Sequence, residues 1–135
     1  MQAESLPERQ LDGASFSDFA GFCASFSAQV LRGEHAWTGN LDAFNDILRG
    51  GFGTPNGPWC LRWTRASRSR ETLGWEATRR RFERLLETCH PLSVEHVRAE
   101  LIRVERREGD TLFDLVVAIL REHETDGSMK LVLEL

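Results

Sequence analysis

Apolar residues recur along this chain in two rhythms, and their alternation gives an order of elements. Phe16, Phe19, Phe22, Cys23, Phe26 and Val30 follow a three-and-four spacing, the single apolar stripe of a helix running to about Leu31. Ser17 is its expected N-cap, and Asp18 sits favourably in the first turn. Asn40 caps a second, shorter helix over Leu41–Arg49, with Leu41, Phe44, Ile47 and Leu48 inward and Gly50 as its stop. The stretch 50–58 holds four glycines and two prolines and reads as a loop. Trp59-Cys60-Leu61-Arg62-Trp63 follows as a buried strand.

A helix is expected over Leu73–Thr88, with Phe82, Leu85, Leu86 and Cys89 inward and Pro91 beyond its end. Another starts at Ser93, turns Val94, Val97, Leu101 and Val104 inward, and ends at Gly109. Asp110 is the expected cap of the last helix, Thr111–Glu124. Its Leu112, Leu115, Val116, Ile119 and Leu120 make the strongest amphipathic pattern in the chain. Leu115 and Ile119 are read as the centre of its buried face. Asp126-Gly127 then turns the chain into a strand over Met129–Leu135. At the other end residues 1–8 read as frayed, and a short strand is expected near Arg9–Leu11, closed by the turn dipeptide Asp12-Gly13.

Helical segments between strands favour parallel pairing, since parallel strands need a crossover. The expected fold is therefore α/β: a small three-stranded parallel sheet packed by helices, with an extra helical segment near 90–108. At 135 residues the chain is one domain over 1–135.

Charge refines this picture. Residues 1–60 carry a net −4, residues 61–89 a net +4 and residues 90–135 a net −4. Acidic ends disfavour general nucleic-acid binding. The arginines of 62–84 leave an RNA-binding alternative open, although most read as the solvated face of a helix. No run approaches the roughly 18 apolar residues of a membrane span, and the first ten residues lack a signal-peptide pattern. A cytoplasmic protein is the expectation. Cys23, Cys60 and Cys89 are odd in number and widely spaced, and read as free thiols of a reducing compartment.

Catalytic chemistry finds little support. The glycines at 50–53 follow a helix and precede a strand, the reverse of a phosphate-binding loop. The histidines at 35, 90, 96 and 123 have no metal-ligand spacing, and no GxSxG nucleophile elbow occurs. The expectation is a protein that is not an enzyme, with no cofactor, no metal and no membrane partner.

The short second helix is the exception to this bland picture. Asp42, Asn45, Asp46 and Arg49 line the side away from its apolar face. Asp42 complements the helix dipole, but Asp46 lies in the last turn, where negative charge is unfavourable. The two acids are also a like-charge pair four residues apart, costing roughly 0.2–0.5 kcal/mol, and Arg49 offsets part of that. Either Asp46 is a tolerated surface acid, or it is kept to meet a cation on a partner.

The run from Trp37 through Asn40-Leu41-Asp42-Ala43-Phe44-Asn45-Asp46 to Gly50 resembles the signature of the barstar family, intracellular inhibitors of barnase-type ribonucleases. Asp12-Gly13, Ser17-Asp18, the Pro58–Trp63 strand, Arg121-Glu122, Gly127 and the C-terminal strand fall in the matching order. The resemblance implies a three-stranded parallel sheet flanked by helices. It also implies a function: the second helix and its neighbouring loop plug the active site of a barnase-like ribonuclease or a related secreted nuclease, without direct nucleic-acid binding. By position, Asp46 would stand in for an RNA phosphate, Asp42 and Glu122 would be supporting charges, and Gly50 would allow close approach. Asn45 and Gly51 occupy the family's contact-aromatic positions. Phe52 stands one residue displaced, and Trp37 follows Ala36 at a tyrosine position. The alternative is an interaction module of the same fold without ribonuclease inhibition.

Overall fold

The computed structural model describes residues 6–135, so part of the expectation for residues 1–8 lies outside the described residues. Three strands, β1 (Glu8–Asp12), β2 (Trp59–Thr64) and β3 (Met129–Leu133), pair in parallel in the order β1-β2-β3. Six α-helices fill the connections: α1 (Phe19–Gln29) and α2 (Leu41–Leu48) before β2, then α3 (Ala66–Thr72), α4 (Trp75–Thr88), α5 (Val94–Glu105) and α6 (Leu112–Thr125) before β3. The α/β class, the parallel sheet and the helical segment near 90–108 are as the sequence implies.

Alternation along β2 decides where the core lies. Trp59, Leu61 and Trp63 point to one side, are at most 1% exposed, and join Leu11 and Leu131 of the neighbouring strands in the core. The residue between them, Arg62, points to the other face. Its guanidinium donates to Glu8 at 2.7 Å and Glu134 at 2.9 Å, tying the three strands together. Apolar packing therefore lies on one face of the sheet, and a charged ladder runs across the other.

Against the apolar face stands an aromatic cluster. Phe22 of α1 is fully buried and touches the rings of Phe16, Phe19, Phe26, Trp37 and Trp63. Trp37 in turn stacks on Phe44 of α2, with ring centroids 4.5 Å apart. The helix that carries the candidate acids is thus seated on the core by an aromatic pair.

Local details depart from expectation in several places. Asp18, not Ser17, caps α1, its carboxylate accepting from Gly21 N–H at 2.7 Å. Both residue types cap well, and one-residue choices of this kind are set by where the chain enters. Thr111, not Asp110, caps α6, because Asp114 returns a bond to the Thr111 N–H and completes a capping box. The short helix α3 was not expected, because its sequence shows no apolar stripe. It forms because Ser69 is buried and bonded twice, accepting from Trp63 Nε1 and donating to Gly13 O, both at 2.9 Å. That contact requires Gly13, since a Cβ there would collide with Thr64 O, Arg65 O and Ser69 Oγ.

The buried face of α6 is rotated from the expected one. Leu112, Phe113, Val116, Leu120 and His123 are buried, whereas Leu115 and Ile119 are half-buried. Thr78 Oγ accepts from Leu112 N–H at 2.8 Å and Leu73 O accepts from Phe113 N–H at 3.0 Å, which sets the rotation. Leu120→Ala is expected to cost about 2–5 kcal/mol. Ile119→Ala should cost clearly less, as read by urea unfolding of the two variants.

Phe82, Leu85, Leu86 and Cys89 of the α4 segment are likewise half-buried, and the one fully buried residue of α4 is Thr78. The reason is that α4 packs chiefly against α5, whose Val97 and Val104 are buried, rather than against the sheet. All three cysteines are free thiols, and burial pushes the Cys23 thiol up to about 12.

Candidate functional site

Helix α2 begins where the side chain of Asn40 accepts from the N–H groups of Asp42 and Ala43 at 2.9 and 3.1 Å. Trp37 Nε1 donates to Asn40 O at 2.8 Å, and Trp37 N–H donates to Ser27 Oγ at 2.9 Å. The approach to the helix is therefore pinned to α1. Phe44, Ile47 and Leu48 go into the core, which leaves Asp42 and Asp46 exposed to solvent. Asp46 forms an ion pair with Arg49 at 3.2 Å, both side chains about two-thirds exposed. Such a pair is worth little to the fold and opens readily for a better partner.

Two residues placed on the contact surface by sequence stand elsewhere. Trp37 is 4% exposed and belongs to the core. It supports α2 from beneath and touches nothing outside. Asn45 does not share the outward side with Asp42 and Asp46. It is half-buried, and its side-chain oxygen lies 3.1 Å from Nε2 of the buried His123 in α6. That contact joins the last turn of α6 to the middle of α2.

The junction lies beside Glu122, which the resemblance names, and brings in Asp126, which the sequence reading did not single out. Glu122, next to His123, is exposed. Asp126 lies one turn further on, with a carboxylate oxygen 4.0 Å from His123 Nδ1. Hydrogen bonds from Ser128 hold its carboxyl below the ordinary range, and the charge of Arg49 adds to this. The His123 ring therefore stands between Asn45 of α2 and Asp126. His123 and Asp126 carry no local signal for this, because the contact runs across 78 residues of sequence in the His123–Asn45 case.

The loop after α2 is built rather than loose. Gly50 and Gly51 have φ values of +112° and +89°, and nothing lies within 4 Å of a Cβ on either. Positive φ selects glycine there, and the open space lets another surface approach the backbone closely. Beyond them, the Arg9 guanidinium donates to Val30 O and Gly53 O, both at 3.1 Å, and clamps the loop to α1. Phe52 is 36% exposed, its ring edge-on to His35 at 4.9 Å. Asp42, Asp46, Gly51, Phe52, Glu122 and Asp126 are exposed and Gly50 partly so, and these residues make the candidate surface.

Below this surface Glu124 ties α6 to β3. It accepts from Leu131 N–H at 2.8 Å and from Arg121 at 2.7 Å. Burial raises its pKa, but the bonds from Arg121 and Leu131 outweigh burial and hold the carboxyl below its ordinary range. A depressed folded value stabilises the fold above the unfolded glutamate value of about 4.3. That contribution is lost as pH falls through the lower folded value. Glu124→Gln is expected to flatten this acid limb of a stability-against-pH curve. An unchanged slope below about pH 4.3 would show that Glu124 is not part of it.

Chemically the surface offers charge and shape. Among the described residues no group of three or more His, Cys, Asp or Glu side chains is arranged to hold a metal ion, and no helix is long and apolar enough to cross a membrane. Comparison of the chain with protein-family models, with curated proteins and with solved structures finds no match.

Proposed function

We propose that the chain is a cytoplasmic binding protein that blocks the active site of a small basic ribonuclease, using the acidic face of α2 and the glycine loop after it. One observation carries this reading. Asp46 stands exposed in the last turn of α2, against the helix dipole, with only a weak exposed ion pair to Arg49 in return. The barstar resemblance places that same residue where an RNA phosphate would sit. Asp42 and Glu122 supply further negative charge, and Asp126 adds to it. Gly50 and Gly51 let the partner close on the backbone, and Phe52 offers an apolar edge. Opposite charge on the two surfaces steers their encounter and fixes their register.

RNA binding by the 62–84 segment draws less support, because its arginines are largely engaged with carboxylates. Arg62 holds Glu8 and Glu134, Arg68 lies near Glu71, and Arg79 and Arg80 pair with Glu76.

The test is inhibition of RNA cleavage by a purified barnase-type ribonuclease. Inhibition is expected to be stoichiometric and to weaken as mononucleotide is added, since both occupy the phosphate site. Undiminished cleavage at several-fold excess of this chain removes barnase-type enzymes as the partner and leaves the interaction-module alternative.

A further inference from the structure

Away from α2, a groove of about 510 Å³ runs between the start of α1, the turn at Thr38 and α4. Its size falls in the range of small-molecule sites. Phe19, Ala77 and Leu85 give it an apolar floor, and Arg81 and Arg84 give it cationic walls.

Arg81 is the unusual member. It is half-buried, its guanidinium lies 5.3 Å from the centroid of the Phe19 ring, and burial lowers its pKa. Its one hydrogen bond is from Nη1 to Gly39 O at 3.2 Å. A guanidinium carries five N–H donors in a planar fork suited to carboxylate or phosphate. Holding the Gly39 carbonyl uses one of them and does not require a charge.

Asp18, Glu71 and Glu76 also line the groove but make no ion pair with Arg81. Asp18 caps α1 through Gly21 N–H, Glu71 lies 3.7 Å from Arg68, and Glu76 is shared by Arg79 and Arg80. Among the described residues neither Arg81 nor Arg84 has a carboxylate within 4.0 Å, whereas Arg79 and Arg80 of the same helix do. A partly desolvated cation without a counter-charge is costly, and an anion from outside removes that cost.

We propose that this groove binds an amphipathic organic anion, its carboxylate, sulfonate or phosphate held by Arg81 and Arg84 and its apolar body laid on Phe19, Ala77 and Leu85. Thr38 and Ser17 add hydroxyls to the lining. The proposal is independent of what α2 meets.

Anilinonaphthalene sulfonate is a suitable probe, because it combines a sulfonate with an apolar body and fluoresces when sheltered from water. Titrated into the folded full-length chain, it is expected to bind saturably at one site. Arg84→Glu, an exposed change, should weaken binding at least tenfold with the unfolding midpoint unchanged. Arg81→Gln should do the same or more. If Arg81→Gln fails to fold, Arg84→Glu alone decides. Octanoate should displace the probe, and inorganic phosphate at equal concentration should not, because it lacks the apolar body. Asp46→Ala should bind the probe as the parent does, which separates this groove from the α2 surface. Non-saturable binding, binding indifferent to Arg84→Glu, or equal displacement by inorganic phosphate would each overturn the proposal.

Discussion

Phe22→Ala is expected to destabilise the fold by about 3–5 kcal/mol, the range for removing a fully buried ring. A single domain is held by only about 5–15 kcal/mol, so this one change removes a large share. The site is unforgiving for a specific reason. Phe22 is 0% exposed and lies among five rings, stacked on Trp63 of β2 at 5.5 Å and edge-on to Trp37 at 5.8 Å. Large planar neighbours relax poorly into a cavity, so the loss includes both transfer and void terms. The consequence reaches α2, because Trp37 both stacks on Phe44 and bonds the Asn40 carbonyl at the start of that helix. Chemical unfolding of Phe22→Ala should show a much lower midpoint. Phe22→Leu should fall between the variant and the parent, because it keeps most of the apolar volume. Equal midpoints for all three proteins would show that the aromatic cluster is not the centre of the core.

This cluster also explains which parts of the molecule were legible in sequence. The α1 stripe, the β2 aromatic run and the C-terminal strand each carry their period in consecutive residues, and each forms where expected. Failures occur where a tertiary contact overrides the local pattern. In α3 a polar sequence is held by Ser69 bridging Trp63 and Gly13. In α6 the bonds that Leu112 N–H and Phe113 N–H donate to Thr78 Oγ and Leu73 O turn Leu115 and Ile119 half out of the core. Trp37 follows the same logic. Its position in the resembling motif suggests a contact residue, but three phenylalanines of α1 and Phe44 offer a place to bury an indole, and burial wins. Within the candidate surface, Asp46 was readable because it breaks a local rule of helix charge, and Asp42 and the glycines through their places in the resembling motif. His123 and Asp126 break none, and only the packing of α6 on α2 assigns them a place.

Asp46→Ala is expected to leave the free protein within about 0.5 kcal/mol of the parent, as exposed substitutions do, and to weaken the nuclease complex by at least about 2 kcal/mol. The first half follows from opposing small effects. The variant loses the exposed pair with Arg49, and it gains relief from Asp42 and from a helix end that disfavours negative charge. The second half follows from position, because a carboxylate at the centre of a charged contact leaves the partner's cations unmatched when it is removed. Arg49 supplies a control of opposite sign. In the free protein it partly neutralises Asp46, and its charge also helps hold the Asp126 carboxyl low. If the surface meets a basic active site, Arg49→Gln should speed association and tighten the complex, most visibly at low salt, where exposed charges are least screened. Asp42→Asn and Glu122→Gln should slow association but cost less affinity than Asp46→Ala. Stability by urea unfolding and binding kinetics should be measured on the same preparations. If Asp46→Ala destabilises the protein and leaves nuclease binding intact, or if Arg49→Gln weakens the complex, α2 is not the blocking helix.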